Sequence, residues 1–250
     1  MIIWITGGST GLGREVARQY AQAGHTVCAS ARGTEALSSL VDECRGMPGT
    51  IHAYATDVTD VARVAETFAS IKTDVGLPDL VILNAGTNVP DNVRKFDREN
   101  YQRMMNINYM GVINCLEPVL PELIERRSGQ VAVVASVAGY RGLPLAAAYC
   151  ASKSALIALC ESLQPELALA GVSLHVVNPG FVRTPLTDKN EFPMPFLMEV
   201  DAAAASMIGG LAQGRFEVTF PKRFTWLVKF TQFLPNAVFL RLARNLVTRA

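Results

Sequence analysis

Apolar runs of strand length alternate with segments of helical period along almost the whole chain. The runs at 2–6, 25–31, 50–56, 79–84, 129–136, 172–178 and 216–220 are rich in Val, Ile, Ala and Thr without strict alternation, the pattern of strands covered on both faces. Helical periodicity between them predicts helices over 12–23, 35–45, 60–74, 99–126, 149–170 and 199–213. This order predicts an α/β fold, a doubly wound parallel sheet of about seven strands with helices on both faces. No internal repeat, low-complexity tract or linker interrupts it. Pro165 falls inside the 149–170 segment, where a missing backbone donor is expected to kink or restart the helix.

Two stretches depart from the alternation. Residues 181–198, with Phe192-Pro193-Met194-Pro195-Phe196-Leu197-Met198, are apolar and proline-punctuated, which predicts a loop or short helices over a site, or an ordinary connection. Beyond them, the apolar positions from Phe224 to Leu234 and from Val238 to Val247 fit two short amphipathic helices split at Pro235. The expected organisation is a catalytic domain over 1–220 and a helical extension of that domain over 221–250.

Charge sharpens the second departure. The chain is nearly neutral at +1, yet residues 221–250 hold six basic residues (Lys222, Arg223, Lys229, Arg241, Arg244, Arg249) and no acidic one, leaving −5 on residues 1–220. Such a segment suits packing on the body, a subunit interface, or contact with an anionic membrane surface. Nucleic-acid binding fits poorly, because the cations are interleaved with large aliphatics and the body is acidic. With 250 residues, half of them apolar, the chain can bury one sizeable core.

The five cysteines form no C-x-x-C pair and do not cluster with the three histidines, so neither zinc nor a disulfide framework is expected. They read as reduced thiols, with Cys150, beside Tyr149, the candidate for modification. Five residues precede the first glycine motif and no run approaches the roughly 18 apolar residues of a membrane span, so the expected location is cytoplasmic, with membrane association through the tail as a variant.

The candidate chemistry begins at Thr6-Gly7-Gly8-Ser9-Thr10-Gly11-Leu12-Gly13, between a predicted strand and a predicted helix. Gly7, Gly11 and Gly13 permit a tight turn and close approach to a pyrophosphate. Ser9, Thr10 and Leu12 share the loop, and the helix N-terminus meets the charge. The second strand ends Cys28-Ala29-Ser30-Ala31-Arg32. A carboxylate there would bind ribose hydroxyls, whereas arginine pairs with a 2′-phosphate, so NADP is expected over NAD, with Ser9 and Ser30 as possible added contacts. Asp57, followed by Val58, ends the third strand and either faces the adenine or caps the next helix. Asn84-Ala85-Gly86 ends the fourth with a small-residue turn in which Asn84 can tie adjacent strands together.

Tyr149 and Lys153, four residues apart on a predicted helix, rise about 6 Å apart on one face. Lowering a phenol from near 10 to a useful base near pH 7 takes roughly 3 units, about 4 kcal/mol, and a neighbouring ammonium can supply much of it. Ser136, ending the fifth predicted strand, adds a hydroxyl to orient a carbonyl oxygen.

With these residues assembled, the chain resembles the single-domain branch of the short-chain dehydrogenase/reductase superfamily over residues 2 to about 220. The resemblance rests on Thr6-Gly7-x-x-x-Gly11-x-Gly13, Asp57, Asn84-Ala85-Gly86, Asn108, Ser136, Tyr149-x-x-x-Lys153, Asn178-Pro179-Gly180 and Thr184. It implies a catalytic tetrad of Asn108, Ser136, Tyr149 and Lys153. Lys153 would also hold the nicotinamide ribose, Asn108 would maintain a water path, and Pro179, Gly180, Val182 and Thr184 would meet the nicotinamide end. It further implies a homo-oligomer, first a homodimer through the helices at 99–126 and 149–170; a tetramer is the alternative, which the long tail could obstruct.

The expected activity is hydride transfer between NADPH and a small-molecule carbonyl or alcohol. Val137, Ala138, Leu143 and Pro144 near Ser136 suggest an apolar substrate, and Tyr140 and Arg141 are candidates for binding a polar group on it. Two alternatives are a noncatalytic NADP-binding regulator and a peripheral membrane reductase of lipid-borne carbonyls. No metal is expected.

Overall fold

The computed structural model describes residues 1–188 and 194–247, with side chains through Arg244. Its strands are β1 (Ile2–Thr6), β2 (Thr26–Ala31), β3 (Thr50–Ala55), β4 (Leu80–Leu83), β5 (Gln130–Val134), β6 (Ser173–Pro179) and β7 (Glu217–Phe220). They form one parallel sheet in the order β3-β2-β1-β4-β5-β6-β7. The chain runs outward from β1 to β3 and then returns beside β1 as β4, which makes the β1/β4 boundary the topological switch point.

The helices are α1 (Gly11–Gln22), α2 (Thr34–Glu43), α3 (Val61–Asp74), α4 (Arg98–Met105), α5 (Gly111–Arg126), α6 (Ala147–Leu169), α7 (Val200–Ala212), α8 (Lys222–Thr231) and α9 (Asn236–Val247). The two-residue period of β1 divides the core. Ile3 and Ile5 pack with Val16 and Tyr20 of α1, Leu37 and Leu40 of α2, and Met207 and Leu211 of α7. Trp4 points the other way, among Phe68 and Ile71 of α3, Val119 and Leu123 of α5, and Leu156 of α6. Helices on both faces leave the central strands wholly buried, hence their continuous apolar runs.

Three expectations need correction. β3 is not covered on both faces: it is an outer strand, with Thr50, His52 and Ala53 exposed. The segment 99–126 is not one regular helix, because a π-helical turn over Asn106–Met110 separates α4 from α5. Apolar periodicity cannot register that local widening, and such turns often re-aim a side chain at a site. Pro165 neither ends nor restarts its helix. The carbonyl it leaves without a helical donor belongs to Glu161, which faces solvent, where water can satisfy it.

Candidate active site

A cleft of about 540 Å³ opens at the carboxyl ends of the strands, across the switch point. Its floor is the turn after β1. Gly7 and Gly11 adopt φ of +66° and +55°, which β-carbon-bearing residues rarely adopt, and a Cβ on Gly7 would lie 2.9 Å from the Ala85 Cα. Thr10 makes no side-chain cap on α1, so the first N–H groups of that helix stay available to an anion.

Threonine and asparagine side chains hold this turn against β4. The buried Thr6 Oγ1 accepts from the backbone N–H groups of Asn84 (3.0 Å) and Ala85 (3.1 Å). The Asn84 amide donates to the carbonyls of Thr6 and Gly7, both at 3.1 Å, the strand-tying role expected for it. Gly13 does not line the cleft. A Cβ there would sit 2.4 Å from both Asn84 Nδ2 and the Gly7 carbonyl oxygen, so its bareness lets α1 seat on the turn.

At the β2 end of the cleft, Arg32 is exposed and has no ion pair among the described residues. It borders both the cleft and an adjoining cavity of about 350 Å³ that also touches Asp57, Thr59 and Ile107. Arg14, the nearby alternative cation, is already engaged by the Ser9 and Ala36 carbonyls, Ser39 and Glu43, which ties the glycine turn to α2. Ser30 is corrected: it is buried, takes a hydrogen bond from the Trp4 indole at 3.0 Å and makes none toward the cleft, whereas Ser9 does line it.

The open choice for Asp57 is resolved by its neighbours. Asp60, not Asp57, caps α3 by accepting from the Arg63 N–H at 3.0 Å. Asp57 accepts from the Thr59 N–H (2.9 Å) and hydroxyl (2.8 Å) and, with Val58, stays in the cleft wall. That wall is braced from behind, since Asn114 donates to the Val58 carbonyl at 2.8 Å and a Cβ on Gly111 would meet Val58 at 2.6 Å. Neither residue carries a signal in the sequence, because the contact is between distant segments.

The reactive groups gather where β4, β5 and α6 converge. Ser136 caps a short 3-10 turn over Val137–Gly139, accepting from the Ala138 N–H at 3.1 Å and donating to the Pro179 carbonyl at 3.5 Å. Lys153 is 4 % exposed, donates to the Val134 carbonyl at 2.8 Å and stands 5.7 Å from the Tyr149 ring centre. Burial lowers its pKa to about 8. The Tyr149 phenol is pushed up to about 12 by burial, against a smaller lowering by the nearby Ser136 hydroxyl. Lost hydration dominates both groups, and the ammonium is held in place by the Val134 carbonyl.

Asn108 sits in the π turn, fully buried and outside the cleft lining. It accepts from the Thr87 N–H at 2.8 Å and donates to the Thr87 carbonyl at 3.0 Å and to Ser152 Oγ at 2.9 Å. Ser152 in turn donates to the Tyr149 carbonyl at 2.8 Å, linking Asn108 to the helix that carries the phenol. Sequence reasoning missed Ser152, although its position inside the Tyr149-x-x-x-Lys153 motif was a usable signal. The other expected residues (Leu12, Ala85, Gly86, Pro179, Gly180, Val182 and Thr184) all line the cleft.

Several substrate-binding expectations fail. The buried Tyr140 hydroxyl donates to Glu217, and Arg141 is spent on the Gln232 and Leu234 carbonyls and the Asn236 side chain. Val137 packs with Phe224 in a small core cluster; neither it, Ala138, Leu143 nor Pro144 borders the cleft. Cys150 is buried and takes a hydrogen bond from the Leu143 N–H, and burial pushes its thiol up, so it is poorly suited to modification. Of the 181–198 segment, Thr184 to Thr187 line the cleft and Val182 bridges Met198; Phe192 and Pro193 lie outside the described residues.

The family model for short chain dehydrogenase matches residues 1–193. The chain therefore belongs to the short-chain dehydrogenases and is an NAD(P)-dependent oxidoreductase. An uncharacterized oxidoreductase of Myxococcus xanthus is 37% identical over 242 residues, covering 97% of this chain and 96% of that protein. A 3-oxoacyl-acyl-carrier-protein reductase of Thermotoga maritima is 34% identical over 185 residues, 74% of this chain and 75% of that one. Among solved structures, a short-chain dehydrogenase from Sphingobium yanoikuyae in complex with NADPH superposes with a TM-score of 0.81 at 23% identity, covering 94% of this chain and 97% of that one, a likeness of fold.

Proposed function

We propose that the protein is an NADP-dependent carbonyl reductase acting on an apolar ketone or aldehyde. The observation that carries this reading is one cleft lined at once by the glycine turn, the exposed Arg32 and the group Ser136, Tyr149 and Lys153. The donor set fits a phosphorylated dinucleotide: Gly7 and Gly11 leave the turn bare, the uncapped start of α1 faces an anion, and Arg32 matches a 2′-phosphate. The NADPH held by the Sphingobium dehydrogenase and the reductase name of the Thermotoga relative support the same assignment.

When bound, the nicotinamide supplies or accepts the hydride. The residues of this chain manage the proton and the oxygen. Tyr149, with its pKa near 12, is protonated at neutral pH and so is an acid, the form that reduction requires. Ser136 shares the substrate oxygen with the phenol and orients it. As the phenol gives up its proton, the Lys153 ammonium favours the phenolate, and exclusion of water strengthens that pull. Asn108 and Ser152 hold the backbone of Tyr149.

The proposal extends to a homodimer through α5 and α6, where Ile124 and Leu169 are exposed, as is Met110 at the end of the π turn before α5, and to a reducing cytoplasm, which suits five buried thiols. Titration with NADPH and NADH, followed by nicotinamide fluorescence, tests the cofactor assignment on wild type and Arg32→Ala. NADPH should bind more tightly, and the variant should fall to the NADH affinity. Equal affinities that ignore the substitution would reject the role of Arg32.

A further inference from the structure

The two tail helices show opposite characters on opposite sides. On the inner side, Phe224 packs between Val137, Phe181 and Phe196, and it backs the cleft wall at Gly180, where a Cβ would meet the Phe224 ring at 2.8 Å. Lys229 pairs with Glu217, which also accepts from Tyr140 and, at 2.9 Å, from Asn178. Burial pushes the Glu217 carboxyl up, but these hydrogen bonds outweigh it and hold the group below its ordinary range, so the clamp stays ionised. Arg141 stacks 4.4 Å from the Phe239 ring centre and fixes the link between α8 and α9. The tail is thus anchored to the body.

Its outer side is apolar and open. Trp226 is 72 % exposed, Phe230 63 % and Phe233 83 %, with Leu227, Leu240 and Leu242 also more than half exposed. Trp226 and Phe230, four residues apart, share the face of α8 turned away from Phe224, and Leu227 lies at its flank. An apolar patch of this kind on a monomer marks an interaction surface. Lys222, Arg223 and Arg241 lie exposed around it with no ion pair among the described residues, and the sequence after Glu217 contains no acidic residue.

We propose that this face docks on an anionic phospholipid membrane surface, with Trp226, Phe230 and Phe233 entering the interfacial layer and Lys222, Arg223 and Arg241 meeting the headgroups. The charge pattern selects this occupant. A second copy joined by a two-fold axis would press the same basic rim against itself, like charge on like charge. A lipid surface answers both the apolar patch and its rim, and exposed aromatics flanked by cations suit its interfacial depth. No helix among the described residues is long and apolar enough to cross a membrane, so the contact is peripheral.

The test is cosedimentation of the full chain with vesicles of phosphatidylcholine alone and of equal parts phosphatidylcholine and phosphatidylserine. Binding should favour the anionic vesicles and weaken with salt. Lys222→Gln and Arg223→Gln should each lower the partition roughly fivefold. The doubly substituted Trp226→Ser, Phe230→Ser chain should lose most of the binding while retaining the native circular dichroism, because both residues are exposed. Failure to sediment with anionic vesicles, binding indifferent to both sets of substitutions, or a patch-dependent dimer that leaves vesicles unbound would overturn the proposal. The assay reads no turnover, so its outcome is separate from that of the reductase reading.

Discussion

Replacing Thr6 by valine keeps the shape of the side chain and removes one oxygen. That oxygen accepts two backbone hydrogen bonds, from Asn84 at 3.0 Å and Ala85 at 3.1 Å, at a position 2 % exposed. Valine leaves both N–H groups without a partner. Each orphaned donor costs about 1–3 kcal/mol, and because Asn84 and Ala85 are only partly buried the lower half of that range applies, giving about 2–4 kcal/mol in total. For a chain of this size, such a loss lowers the melting temperature by roughly 5–15 °C. Thr6→Ser is the matched control, keeping the hydroxyl and losing one methyl at a cost of about 1 kcal/mol. Differential scanning calorimetry of the three proteins reads the difference. The affinity for NADPH should fall with stability in the valine variant, since the same two bonds set the turn at Gly7 against Ala85. If Thr6→Val melts with Thr6→Ser or with wild type, the hydroxyl does not join β1 to β4.

Gly13→Ala should cost about 2–4 kcal/mol by denaturant titration, since a Cβ 2.4 Å from both the Asn84 amide and the Gly7 carbonyl forces one of them to move. Ser152→Ala should leave NADPH binding intact while lowering kcat, because it cuts Asn108 from the Tyr149 backbone; a change confined to KM would contradict that link. Reductive kcat/KM should be level through neutral pH and fall as pH rises through about 8, where Lys153 loses its proton, well below an ordinary lysine. The phenol, with its pKa near 12, does not limit that range, so a profile level to pH 10 would mean that the ammonium is dispensable.

The positions of the seven strands and the placement of the glycine turn were legible because they follow from apolar runs and from glycines that only a bare turn explains. Most of the cleft wall was legible too, since residues such as Asp57, Gly86 and Pro179 lie at or just beyond the ends of strands that the pattern located. The π turn at Asn106–Met110 was hidden, because five residues of widened helix leave the apolar periodicity intact. For Tyr149, spacing alone did not show the burial that raises the phenol. Four residues of helix put the ammonium beside the phenol, but burial of both groups and the pull of the Val134 carbonyl depend on how β5 packs under α6. Tyr140 and Arg141 read as free polar groups near Ser136, yet both are consumed by Glu217 and the tail, partners some 77 to 95 residues away.

The central claim is that this cleft moves hydride to a carbonyl while Tyr149 supplies the proton. The most direct measurement is transfer of deuterium from NADPH labelled at C4 of the nicotinamide to a panel of apolar ketones and aldehydes, read by mass spectrometry of the alcohols. Both wild type and Tyr149→Phe would be assayed after NADPH binding is verified for each. Label at the carbinol carbon with wild type, falling roughly 100-fold or more in a Tyr149→Phe protein that still binds NADPH, is the predicted result. Unlabelled products with wild type, or equal labelling by the variant, would contradict the account.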